Sequence, residues 1–150
     1  MAEVMTALPD ALFSLLQRET FVLLGTIDYE TGAPNVSAIS WVYAPNPTKI
    51  RFALDHRSRI VKNVKNNARA TLTVIGAGTV YSIYGTATVV TDALEGVPFK
   101  LTCVDLDIGE VRDAMFFGAR ITVAPESEKT YDKRAAEKLD RQVFEAMQKA

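Results

Sequence analysis

The stretch Ile50–Arg69 restricts the folds open to this chain more than any other. It reads as a strand, a tight polar corner and a short helix with a basic face. Ile50, Phe52 and Leu54 alternate with Arg51 and Ala53, the period of a strand with one face on a core. Asp55, His56, Arg57 and Ser58 make the corner. Ser58 is a good helix cap, because its hydroxyl can accept from an amide of the first turn. Arg59, Lys62 and Asn66 then share one helix face, with Val61, Val64 and Ala68 opposite. A helix start has unpaired amides and the positive end of a dipole, so Ser58, Arg57 and Arg59 beside it suit a phosphate. The other reading of the same residues is a solvated basic helix that shields a barrel end.

The rest of the chain supplies strands around this unit. Pro9–Glu19 predicts a short helix with an apolar stripe of Leu12, Phe13, Leu15 and Leu16. Phe21–Asp28 is nearly continuous in apolar residues, as for a strand covered on both sides. Tyr29–Pro34 is a turn, Asn35–Tyr43 a second strand, and the two prolines of Ala44–Lys49 mark a loop. Arg69–Ile75 and Val80–Val90 flank a hairpin turn at Gly76–Thr79, and Gly85 signals a bulge or bend. Phe99–Val111 alternates with a change of parity, which a bulge near Cys103 would explain, and Ala114–Val123 is a last strand. Lys129–Gln148 is a charged helix with Leu139, Val143, Phe144 and Met147 on one stripe. The sum is mainly β: a single domain over 1–150, six to seven antiparallel strands in a small barrel, a short helix after the third strand and a helix at each terminus.

Composition removes several function classes. With 150 residues, 48% hydrophobic and 23% charged, the chain can bury a real core. A formal net charge of -1 gives no long-range attraction to nucleic acid or anionic lipid, so the local basic corner points to a small anion. One cysteine, Cys103, excludes an internal disulfide and fits a reducing, cytoplasmic compartment; its apolar neighbours suit a buried, inert thiol. The N-terminus lacks the pattern of a signal peptide, and no apolar run nears the ~18 residues of a membrane helix. His56 is the sole histidine, so a His/Cys metal cage is not expected. Asp105, Asp107, Glu110 and Asp113 lack calcium-loop spacing and read as a solvent-facing acidic edge, and Lys65 as a solvated lysine. Trp41 suits either a stacking role or a core or interface position. No side-chain catalytic constellation is evident.

Three segments together, Phe21–Asp28, Gly32–Ser40 and Ile50–Arg69, resemble the pyridoxamine-phosphate-oxidase-like split barrels, small FMN-binding proteins. Ile83-Tyr84-Gly85-Thr86-Ala87 is similar to that family's pattern of two apolar residues, glycine, any residue and alanine. The resemblance implies a homodimer with the flavin at the subunit interface and a small-molecule substrate; the near-neutral charge and the lack of a long apolar run argue against a nucleic-acid or membrane partner. It implies that Ser37, Ala38, Ile39 and Ser40 line the isoalloxazine ring, with Leu54 completing the wall. It places the phosphate at Ser58 and Arg59, which fall on the first two positions of that family's Ser-Arg-Lys-like corner; Asp55, His56 and Arg57 beside them are further candidates for contact with the cofactor. Where relatives carry lysine this chain has Ile60, and Arg57 or Lys62 is left to supply that charge. The implied activity is a flavin-dependent oxidoreductase on an unidentified small molecule. The alternatives are a deazaflavin-dependent reductase, or a non-catalytic flavin- or haem-binding or stress-related protein.

Overall fold

The computed structural model describes residues 4–150. In chain order the elements are β1 (Val4–Met5), α1 (Asp10–Leu15), β2 (Val22–Ile27), β3 (Pro34–Ile39), β4 (Val42–Asn46) and β5 (Lys49–Asp55). They continue as α2 (Arg59–Asn66), β6 (Arg69–Gly76), β7 (Thr79–Thr91), β8 (Leu101–Asp113) and α3 (Lys133–Lys149). All pairings are antiparallel, in the order β3-β2-β6-β7-β8-β5-β4, with β1 added to β8.

That order dictates the shape. β3 and β4 lie at opposite ends of the sheet, yet only Ser40 and Trp41 separate them in the chain. So short a link can join the two edges only if the sheet curls until they meet. The result is a barrel with a seam along β3 and β4. Its interior holds Val22, Leu24, Val42, Ile50, Phe52, Leu72, Ile83, Val104, Leu106 and Val111, each at most 1% exposed. α1 seals one part of this core with Leu12 and Leu16; α2 adds Ile60, Val61 and Val64. Each fully buried side chain of this size contributes about 1.5–3 kcal/mol by leaving water.

α3 builds a second, smaller core on the outside of β5 and β8. Val143, Ala146 and Met147 pack with Ala53, Leu101 and Cys103, flanked by Trp41, Tyr43, Leu139 and Phe144. Arg51 fastens this helix. Its guanidinium donates to Asp105 at 2.7 and 3.0 Å and to the carbonyls of Met147 and Ala150, each at 2.8 Å.

Several sequence expectations are corrected by this arrangement. Asn35–Tyr43 is two strands, because the chain turns at Ser40–Trp41 to cross the seam; the short helix therefore follows the fifth strand. Within Ala44–Lys49, β4 runs on through Pro45, which is tolerated because β4 is an edge strand with a register irregularity between Tyr43 and Asn46. The parity change in β8 does not come from an extra residue beside Cys103. Leu101 and Cys103 face the α3 core while Val104 and Leu106 face the barrel, so both faces are apolar. The extra residue at that level is Val90 in β7. A second irregularity, where Tyr84 pairs with Glu110 and Gly85 with Ile108, sets the bulge expected at Gly85 and leaves Gly109 unpaired. Asp105 is not on a solvent edge: β8 is central, and Asp105 is 6% exposed between Arg51 and Lys49. Lys65 is paired with Asp92 at 2.7 Å. Ala114–Val123 is not a strand; it runs beside the β6–β7 hairpin, held by amides of Ala114 and Ile121 donating to Val80 and Gly78 carbonyls. β2 buries Val22, Leu24 and Thr26 but leaves Leu23, Gly25 and Ile27 half-buried, so its outer face is open within this chain.

Candidate functional site

The seam opens a cleft of about 390 Å³ where the β3–β4 corner meets the end of β5. Ala38, Ile39, Ser40 and Trp41 line one side, and Ala53, Leu54 and Asp55 another. Both edges are brought there by register. The Ala53 amide donates to the Trp41 carbonyl at 3.0 Å, and the Val42 amide to the Ser40 carbonyl at 2.9 Å. Five of the sequence-implied residues, Ala38, Ile39, Ser40, Leu54 and Asp55, therefore share one concave surface. Ser37 lies outside it: Ser37 is half-buried and paired with Leu24 in the β2–β3 ladder, next to Ala38 on the opposite face.

The Ser58 cap expected from the sequence is present, and the structure adds ties at Asp55 and His56. Ser58 caps α2, its Oγ accepting from the Ile60 amide at 3.2 Å. Asp55 accepts from the Arg57 amide at 2.8 Å and from its guanidinium at 3.2 Å. These donors hold the Asp55 carboxyl down at about 2. His56 is tied by its amide and its Nδ1 to the Lys100 carbonyl, at 3.2 and 3.1 Å. Ile60 is 7% exposed and packs in the barrel core, so its side chain offers no charge to the corner.

Arg59 and Lys62 come together on the β2–β3 turn. Their cationic groups lie 4.7 and 5.7 Å from the Tyr29 ring centroid, within cation–π range. Arg59 also donates to buried Asp28 at 2.5 and 3.0 Å and to exposed Glu30 at 2.9 Å. The Arg59 guanidinium, with the Thr31 and Glu30 amides, keeps the Asp28 carboxyl well below the usual carboxylate range. Asp28 in turn raises the pKa of Arg59, and Glu30 adds to it.

Sequence reasoning missed three contributors. Asn63 is fully buried inside the charged-looking helix; its amide donates to Thr26 Oγ1 and Asn35 Oδ1 at 3.0 and 2.9 Å, and its oxygen accepts from the Tyr29 amide at 2.9 Å. It locks α2 to β2, β3 and the turn between them. An asparagine close to Val61 and Val64 on the helix was the available signal. Lys129 and Tyr131 also line the cleft, from the segment before α3. No local pattern marks them, because only the fold brings that segment to the seam. Cys103 is fully buried, and burial pushes its thiol up to about 11, as suits an inert side chain. Among the described residues no His/Cys/Asp/Glu group could hold a metal, and no helix is long and apolar enough to cross a membrane.

A curled antiparallel sheet with a two-residue seam crossing and a capped helix after the seam strand defines the split-barrel class. The family profile for pyridoxamine 5'-phosphate oxidase matches residues 8–103, more than half of the chain, and the chain belongs to that family. Among solved structures it is similar to a candidate pyridoxamine 5'-phosphate oxidase from Lactobacillus delbrueckii, at 21% identity and a TM-score of 0.61 over 71% of this chain and 94% of that one. It is also similar to an F420 reductase, at 18% identity and a TM-score of 0.58 over 69% and 98%. General stress protein 26 from Bacillus anthracis aligns at 9% identity and a TM-score of 0.55 over 71% and 93%. At these identities the likeness is one of fold. No curated protein sequence matches significantly.

Proposed function

We propose that this chain is a cytoplasmic, homodimeric flavoprotein that binds FMN noncovalently at the seam and uses it for two-electron oxidoreduction of a small molecule. The observation that carries this reading is the shared cleft of Ala38, Ile39, Ser40, Leu54 and Asp55, next to the capped start of α2. Its apolar wall suits a flat ring, and its neighbouring guanidiniums suit a phosphate. When bound, the flavin supplies the electron chemistry, which fits a chain without a side-chain catalytic constellation. The residues bind and orient. Asp28 fixes the Arg59 guanidinium from the buried side, and the phosphate takes the place of exposed Glu30 on its outer edge. The second subunit covers the open outer face, where Leu23, Gly25, Ile27, Val36, Thr71, Thr73 and Tyr84 line an uncharged stretch of a groove of about 650 Å³.

The test is a titration with FMN, read by flavin fluorescence, together with the visible spectrum of the purified protein. Arg59→Ala should weaken binding at least about tenfold, since a charge-assisted contact is lost. Glu30→Gln should tighten it by removing the competing carboxylate. A wild-type protein that binds no FMN would sink the flavin reading, and a Soret band would replace it with haem. Equal affinities for wild type and Arg59→Ala would move the phosphate elsewhere. Sedimentation as a monomer at micromolar concentration would remove the dimer.

A further inference from the structure

The family match ends at residue 103, yet the cleft does not. After β8, residues 114–132 form a strap without helix or strand that returns across the seam before α3 begins. From it, Lys129 and Tyr131 reach the cleft wall beside Ile39, Ser40, Leu54 and Asp55.

Lys129 is anchored at both sides. Its Nζ donates to Glu19 Oε2 at 2.9 Å and to Asp140 Oδ1 at 3.3 Å. The same two oxygens serve the seam corner: Ser40 Oγ donates to Glu19 Oε2 at 3.0 Å, and Trp41 Nε1 to Asp140 Oδ1 at 2.9 Å. The chain of contacts thus starts at Ser40, runs through Glu19, Lys129 and Asp140, and returns to Trp41. It ties the strap, the segment after α1 and the α3 helix to the two residues that cross the seam. Lys129 is 31% and Asp140 18% exposed, so salt screens this pair less than a free surface pair. Tyr131, two residues on, stands half-exposed at the rim.

We propose that Tyr131 is a specificity-determining residue that covers a flat aromatic ring in the cleft, and that Lys129 is the positioning residue that holds it there. The inference rests on the cofactor reading above. Ile39 on one side and Ala53 and Leu54 on another give the cleft an apolar lining. A phenol at the rim of that lining favours an offset-stacked ring over a non-planar ligand of equal volume. Ring recognition is thereby separated from phosphate recognition, which lies with the α2 corner. The wall that selects the ring comes from the part of the chain that the family profile leaves out.

The experiment titrates wild type, Tyr131→Ala, Tyr131→Phe, Lys129→Met and Lys129→Arg with FMN and with riboflavin, which carries the ring without the phosphate. Acrylamide quenching of Trp41, the sole tryptophan, is measured on the unliganded proteins. Tyr131→Ala should weaken both flavins about tenfold, and Tyr131→Phe should recover the affinity. Arg59→Ala, by contrast, should weaken FMN alone. Lys129→Met should repeat the Tyr131→Ala loss and make Trp41 more accessible to acrylamide, and Lys129→Arg should reverse both effects. If Tyr131→Ala binds both flavins as tightly as wild type, the ring-covering role falls while the cofactor reading stands. If Lys129→Met leaves quenching and affinity unchanged, Lys129 is not the anchor. A wild-type protein that binds neither flavin overturns the cofactor reading and this inference together.

Discussion

Replacing Asn63 by alanine tests how the α2 corner is held in place. Asn63 is 0% exposed and makes three hydrogen bonds, to Thr26, Asn35 and the Tyr29 amide. Each is worth about 1 kcal/mol net, so their loss costs about 3 kcal/mol. Thr26 is itself only 3% exposed, so its hydroxyl loses an acceptor role that water cannot readily replace. The total expected is about 3–4 kcal/mol. In a chain of this size that lowers Tm by roughly 6–16 °C. Urea unfolding, followed by Trp41 fluorescence and by far-UV circular dichroism, measures it directly. Asn66→Ala, at an exposed position three residues on, should stay within about 0.5 kcal/mol. A loss below about 1 kcal/mol for Asn63→Ala would refute the keystone role, because the three bonds would then be replaced by solvent without cost.

Two further substitutions probe the barrel and the corner. Gly85→Ala should destabilise by about 1–3 kcal/mol, because its new methyl group would run into the Asp107 carbonyl and meet the Leu106 side chain at 3.0 Å; unchanged urea unfolding would mean that β8 yields freely there. Asp55 is held at about 2 from an ordinary 3.8, mainly by the Arg57 guanidinium. Its folded pKa lies below its unfolded one, so its stabilisation is complete above the ordinary value and is lost as pH falls through about 2. Arg57→Ala should move the carboxyl titration up toward the ordinary value, as read by NMR, and an unmoved midpoint would refute the pairing.

Much of the barrel was legible because strand and helix periods are local properties. Ile50–Leu54 alternates, Ser58 caps, and Gly76–Thr79 turns, each for reasons contained within a few residues. The turn itself is tight: Ala77 and Gly78 have φ of 54° and 81°, as a two-residue hairpin requires. Errors arose where a residue's environment is set by distant chain. In the sequence, β8 reads as a strand with a slip, because nothing local says that α3 covers its second face. Asp105 reads as exposed because its partner, Arg51, lies across a ladder.

The candidate site divides the same way. The residues expected at the ring and the phosphate lie in two segments whose proximity the resemblance implied, and five of them share the seam cleft. The ion pairs of Arg59 with Asp28 and Glu30 could not be anticipated. They join residues about thirty positions apart, through the angle at which α2 meets the β2–β3 turn.

The sequence by itself determined the mainly β class, the strand at Ile50–Leu54, the hairpin turn before Thr79 and the cap at Ser58, because periodicity, turn chemistry and side-chain length act over one or two turns of chain. Only the tertiary structure decided which faces are covered, that Ile60 is a core residue, that Asn63 is the buried lock of α2, and that Lys129 and Tyr131 complete the cleft. Those outcomes depend on the curl of the sheet. The two residues between β3 and β4 force its edges together and so bring segments to the seam that no local pattern connects.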